Sequence, residues 1–126
     1  MKILTTAEEE IMQVLWDLKK GFVKDILEHF DDPKPAYNTV STIVRILQEK
    51  GFVNHKAYGR THEYFPVVSK DEYSKSHLKS FVRDYFSNSF EKMVSFFAKD
   101  KGITVKEMEE IMKIMEEEMK KQKPKR

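Results

Sequence analysis

Apolar residues recur at spacings of three and four through the N-terminal part of the chain, then change rhythm once. Ala7, Ile11, Val14, Leu15 and Leu18 share one face of a helix. Thr6 with Glu9, or Thr5 with Glu8 one residue earlier, offers a capping box at its start, and Gly21 predicts its stop. Val23, Ile26, Leu27 and Phe30 mark a short second helix. Pro33 and Pro35 follow it, and prolines that close cannot sit inside a helix. A third helix is predicted over 36–50, with Val40, Ile43, Val44 and Leu47 inward and Gly51 just beyond its end. The period then becomes two. Residues 52–56 and 61–65 are β-rich runs around Ala57-Tyr58-Gly59-Arg60, a hairpin that Pro66 closes.

Beyond the hairpin the helical period returns. Ser69 and Glu72 form another capping box, opening a long helix that carries Tyr73, Leu78, Phe81, Val82, Tyr85, Phe86, Phe90, Met93, Val94 and Phe97. Ser87-Asn88-Ser89 is the place where it bends or loosens. Gly102 is a stop, and Thr104 with Glu107 caps a last helix bearing Val105, Met108, Ile111, Met112, Met115 and Met119.

Three helices followed by a two-stranded hairpin is the order of a winged helix-turn-helix domain, the second and third helices forming the helix-turn-helix and the hairpin the wing. The predicted fold is therefore mainly α with a small β hairpin. It comprises a winged-helix DNA-binding domain at 1–68, a C-terminal helical dimerisation region at 69–121 and a disordered basic tail at 122–126. Two amphipathic helices joined by a short loop cannot bury both wide apolar stripes alone, and pairing with a second copy covers them symmetrically. Leu78, Phe81, Val82, Tyr85, Phe86, Phe90, Met93, Val94, Phe97, Met108, Ile111, Met112 and Met115 are the expected homodimer interface.

Composition narrows the classes. With 126 residues the chain suits one domain and an appendage, and it has no cysteine, which removes disulfides and thiolate metal sites. No apolar run is long enough for a membrane span and no secretory leader is evident, so a soluble cytoplasmic protein without membrane insertion is expected. Net charge is only +2, but its distribution is uneven. Acidic residues dominate 1–33, whereas Lys34, Arg45, Lys50, Lys56 and Arg60 face only Glu49 across 34–62. One basic face on a near-neutral domain suits duplex DNA.

On the third helix, the side opposite the apolar stripe carries Asn38, Ser41, Thr42 and Arg45 near the N-terminal half, the half that enters the major groove. Asn pairs with adenine, Arg with guanine, and Thr offers a hydroxyl and a methyl. Tyr37 can reach a phosphate. At the wing, Lys56, Tyr58 and Arg60 around Gly59 suit phosphate or the minor groove. His55 and His62 face each other if Tyr58-Gly59 is the turn, but two imidazoles do not complete a metal site. No metal, no cofactor and no catalytic residue is expected: there is no phosphate loop, metalloprotease His pair or nucleophile elbow. The pattern alone leaves open a winged-helix module that contacts only proteins.

Three segments together, LTTAEEEIMQVLW, AYNTVSTIVRILQEKGFV and HKAYGRTHEYFPVVS, resemble the penicillinase-repressor family, and the resemblance runs from residue 4 to about 118. It implies a homodimeric transcriptional repressor on a palindromic double-stranded operator, with Asn38, Thr39, Ser41, Thr42 and Arg45 as base or backbone contacts and Arg60 in the wing. It also implies a partner, a membrane-bound sensor metallopeptidase that relieves repression by cutting an Asn-Phe bond in antibiotic-responsive members. That bond aligns with Phe96-Phe97 here, so its asparagine is absent. The C-terminal cysteines of copper-responsive members are absent too.

Overall fold

The computed structural model describes residues 1–122, so all but the first residue of the expected basic tail lies outside the described residues. It divides into two compact units, Met1–Leu78 and the residues from Lys79 onward.

In the first unit α1 (Thr6–Leu18) begins with the earlier of the two candidate boxes. The Thr5 hydroxyl accepts from the Glu8 N–H at 3.2 Å and Glu8 Oε1 accepts from the Thr5 N–H at 2.8 Å. Its buried face is Ile11, Met12, Val14 and Leu15, whereas Ala7, expected on that face, is exposed. Lys19, at φ 72, ends the helix. Gly21 has another task. It exchanges two backbone hydrogen bonds with Tyr64, of 2.9 and 2.8 Å, forming a short bridge to the hairpin.

Asp25 accepts from the Phe22 N–H at 2.9 Å at the start of α2 (Val23–Glu28). At its other end the Lys34 ammonium donates to the carbonyls of Leu27, Glu28 and Phe30 and so caps the helix end. The third helix, α3 (Tyr37–Glu49), buries Val40, Val44 and Leu47 fully and Ile43 in part. Gly51, at φ +83, turns the chain into the antiparallel hairpin of β1 (Val53–Tyr58) and β2 (Thr61–Pro66). These elements share one core, in which Met12, Leu15, Ile26 and Phe52 are among the fully enclosed side chains. The result is a winged helix.

The domain does not stop at residue 68. After the Ser69–Glu72 box, α4 (Lys70–Tyr85) sends Tyr73 into the winged-helix core, 6.0 Å from the Trp16 ring and 5.7 Å from Phe52. The Tyr73 hydroxyl accepts from the Leu4 N–H at 2.9 Å and donates to Glu9 at 2.8 Å. Burial first, then the Glu9 carboxylate, push it up to about 12.

In the second unit the expected long helix is broken. Ser87 and Asn88 both take positive φ, and Ser89 caps a new helix, α5 (Phe90–Lys99), by accepting from the Lys92 N–H at 3.1 Å. The polar triplet therefore separates two helices instead of bending one. The last helix, α6 (Val105–Gln122), starts with the expected Thr104–Glu107 box. Neither α5 nor α6 buries a residue. Among the described residues no helix is long and apolar enough to cross a membrane.

Among the described residues Glu8 is the one buried charged residue, and Lys50 at the end of α3 answers it with 2.8 Å contacts to both oxygens. Burial raises the Glu8 carboxyl, but the Lys50 hydrogen bond and charge, with the Thr5 bonds, bring it below its ordinary 4.5. Its contribution to stability is therefore complete above that value and is lost as pH falls through the lower folded value. Replacing Lys50 by Met leaves a buried carboxylate without its cation and should cost about 1–3 kcal/mol at neutral pH. Thermal melts should show the gap to the parent chain narrowing in acid, as Glu8 protonates.

Candidate nucleic-acid interface

The polar face of α3 stands clear of the core. Tyr37, Asn38, Thr39, Thr42 and Arg45 are exposed, and Ser41 is half-buried. Three positions, Val40, Val44 and Leu47, anchor the opposite side, so helical geometry aims these side chains outward. Arg45 lies back along its own helix, with Nε donating to the Ser41 carbonyl at 3.3 Å.

Beside this face an open groove of about 610 Å³ runs between α2, α3 and the wing. Tyr37, Ser41 and Arg45 line it from α3, Arg60, Thr61, His62 and Tyr64 from the wing, and Phe22 to Asp25 from the start of α2. Four of the expected contact residues, Tyr37, Ser41, Arg45 and Arg60, thus meet in one concavity. Asn38, Thr39 and Thr42 are not among its lining residues. The bridge to Gly21 fixes Tyr64 at the back of the groove. Burial raises its phenol, with the Arg45 cation opposing and Tyr37 reinforcing that shift.

Register settles the rest of the wing. Tyr58 pairs with Thr61, so the two-residue turn is Gly59-Arg60, with Gly59 at φ +63, and not Tyr58-Gly59. His62 is consequently opposite Ala57, and His55 opposite Tyr64. The two histidines meet on the diagonal, their rings stacked at 4.0 Å and 6°. Parallel rings send their nitrogens along parallel lines, not toward one point. Among the described residues no group of three or more His, Asp or Glu could hold a metal. His55 Nδ1 is 2.7 Å from Gln48 Oε1 of α3.

Lys56 and Tyr58 fall on the other pleat face, where the Lys56 ammonium lies 5.3 Å from the Tyr58 ring centre. Tyr58 also meets Phe22 edge-on at 5.7 Å, which braces the wing tip against the start of α2. The basic excess of 34–62 is therefore divided. Lys34 caps α2 and Lys50 pairs with Glu8, which leaves Arg45, Lys56 and Arg60 for a partner. Lys24, His62 and Tyr64 join the groove although none of them was expected there. Lys24 lies within an acidic segment, and His62 was weighed only with His55 as an incomplete metal pair.

A family model described as penicillinase repressor matches residues 4–117. The chain belongs to the penicillinase repressor family. Curated relatives include the methicillin resistance regulatory protein MecI of Staphylococcus aureus (strain N315), 24% identical over 89% of this chain and 92% of that protein. The penicillinase repressor of Bacillus licheniformis is 24% identical over 90% of each. The solved complex structure of hsRosR-S4 is 17% identical over 80% of this chain and 92% of its own, at a TM-score of 0.53, which is a likeness of fold. The family is one of repressors, not of enzymes.

The brace at the wing tip can be tested apart from any partner. Phe22→Ala removes an aromatic contact worth about 0.5–1.5 kcal/mol. Amide exchange should quicken at Tyr58 to Thr61 and stay unchanged at Val40 to Leu47.

Proposed function

We propose that this penicillinase-repressor family member is a homodimeric transcriptional repressor that places α3 in the major groove of a palindromic operator. The observation that carries the reading is the meeting of Arg45 and Arg60 in one groove, beside the exposed Asn38, Thr39 and Thr42 of α3. The helix presents groups that pair with base edges, and the wing presents a cation to the backbone. A phosphate backbone supplies countercharge to cations on both walls at once.

The second copy pairs through the C-terminal helices. Phe90, Val94, Ile111, Met112 and Met115 are exposed in the single chain and too numerous to leave in water. The structure refines the interface expected from periodicity. Val82 is fully buried within the chain and offers no surface to a partner, and Phe86 packs between Phe81 and Phe96 at 5.7 Å from each. Because the first unit carries few free cations, affinity depends on linking two half-sites, which makes the second contact intramolecular. Release follows when this pairing is broken. Cleavage in the C-terminal region by a membrane-bound sensor metallopeptidase is the family route, and here it has to act without an Asn-Phe bond at Phe96-Phe97.

Gel shift on the DNA upstream of the protein's own coding sequence, with random DNA as competitor, tests the reading. Arg45→Ala should weaken binding by about 1–3 kcal/mol and relax base preference at one position of each half-site. Equal binding of random and upstream DNA by the folded parent chain would reject it. For the interface, Val94→Glu with Met112→Glu should sediment as a monomer and lose the operator complex while keeping the melting of the winged-helix unit. A dimer that survives both substitutions would move the interface elsewhere.

A further inference from the structure

We propose that the groove between α2, α3 and the wing seats a DNA phosphate and that His62 is its proton-linked ligand. The proposal rests on the repressor reading and extends it to a residue and a chemistry which that reading does not use.

His62 lies on β2, half-buried, and lines the groove together with Arg45 and Arg60, the two arginines that carry the DNA-binding reading. Its ring cannot turn away freely. One face is covered by His55 at 4.0 Å, and His55 is itself held by Gln48 of α3. The stack therefore fixes the plane of the His62 ring and leaves the edge as its way to engage a ligand. Tyr64 stands 6.1 Å away, edge to face.

The surrounding charges decide what that ligand is. From α3 come the Arg45 cation and the Tyr37 phenol, from the turn Arg60, and from α2 Lys24 and Asp25. The Asp25 carboxylate is already engaged by the Phe22 N–H. Glu63, the next residue along β2, pairs with Lys20 at 4.0 Å, and the pleat turns it from the His62 face. Cations thus outnumber free anions around the ring. A proton on His62 adds a further positive charge to the groove that Arg45 and Arg60 also line, and a phosphate oxygen there supplies the countercharge. Proton uptake and phosphate binding then favour each other, by the reciprocity of linked equilibria. The sign follows directly. The bound state holds the proton more tightly than the free state, so the gain in affinity is present at low pH and lost as pH rises.

The test is fluorescence anisotropy of the full chain with a labelled duplex of its upstream DNA, at fixed ionic strength, between about pH 8 and about pH 6. The parent chain should bind about three- to tenfold more tightly at the acid end, and the slope of log affinity on log salt should steepen by about 0.9 there, one phosphate contact more. His62→Gln should lose both changes, its affinity and its salt slope no longer rising toward the acid end. His62→Lys, a cation at every pH, should bind at the alkaline end as the parent does at the acid end, a rescue that a merely structural role for the ring would not produce. His55→Gln should keep the sign of the dependence while melting shows the wing loosened. An affinity independent of pH in the parent, or an unchanged dependence in His62→Gln, overturns the role of His62 and leaves the repressor reading standing. Failure of the parent chain to prefer upstream over random DNA at any pH overturns both.

Discussion

Gly21 and Tyr64 exchange two backbone hydrogen bonds, and the arrangement of the groove between α2, α3 and the wing depends on that bridge. A two-stranded hairpin is only marginally stable in water. Here β2 gains a short third partner from the loop between α1 and α2, and the Tyr64 ring is buried against the helices. The wing is thereby fixed to the segment that starts α2. The same segment carries Phe22, which braces Tyr58, and leads into Lys24, which joins the groove. Space at Gly21 is tight, since a Cβ there would come within 3.3 Å of the Asp25 Cβ. The distance from Arg60 to Arg45 is therefore a property of the backbone and not of two long side chains finding each other.

Charge is divided according to the same economy. A count of basic residues over 34–62 suggests a stripe, but two of the five are spent inside the fold. Lys34 satisfies carbonyls at the end of α2, and Lys50 answers a carboxylate buried under α1. Those two tasks hold α2 and α3 to their neighbours, and so indirectly aim the remaining cations. A weakly basic domain that reads DNA gains its affinity from placement and from a second copy more than from total charge.

The N-terminal fold was largely legible because each of its elements carries a period and a punctuation mark that agree. The stripe Val40, Val44 and Leu47 buries as its spacing predicts, and Phe52 and Val53 bury where the chain enters β1. The failures have local causes. Gly21 looked like a helix stop because glycine so often is one, yet Lys19 took the left-handed position and freed Gly21 for the bridge. Tyr73 belonged by period to the C-terminal stripe, but its hydroxyl and ring are claimed by Leu4, Glu9, Trp16 and Phe52, contacts remote in sequence that no window reveals. Ser87-Asn88-Ser89 was visible as a weak point, and only backbone geometry shows that it ends one helix and starts another. In the candidate site the α3 residues were legible from face and residue type. The contribution of His62 was not, because the groove it lines is built by α2 and α3 as well as the wing, elements remote from it in sequence.

The two units answer opposite requirements. The first closes its own core, down to the pairing of the buried Glu8 with Lys50, and turns the polar face of α3 outward. The second leaves α5 and α6 with no buried residue at all, although both are strongly amphipathic. Such helices are incomplete as single chains, since their apolar faces gain nothing until something covers them. In the proposed dimer a second copy would cover them with the same sequence and bring a second groove with it, so that one association would meet both the need to bury Met112 and Val94 and the need for two half-sites. Folding of the C-terminal helices, pairing and operator affinity are in this reading coupled steps, and any agent that uncovers the apolar faces acts on DNA binding without touching the residues that contact DNA.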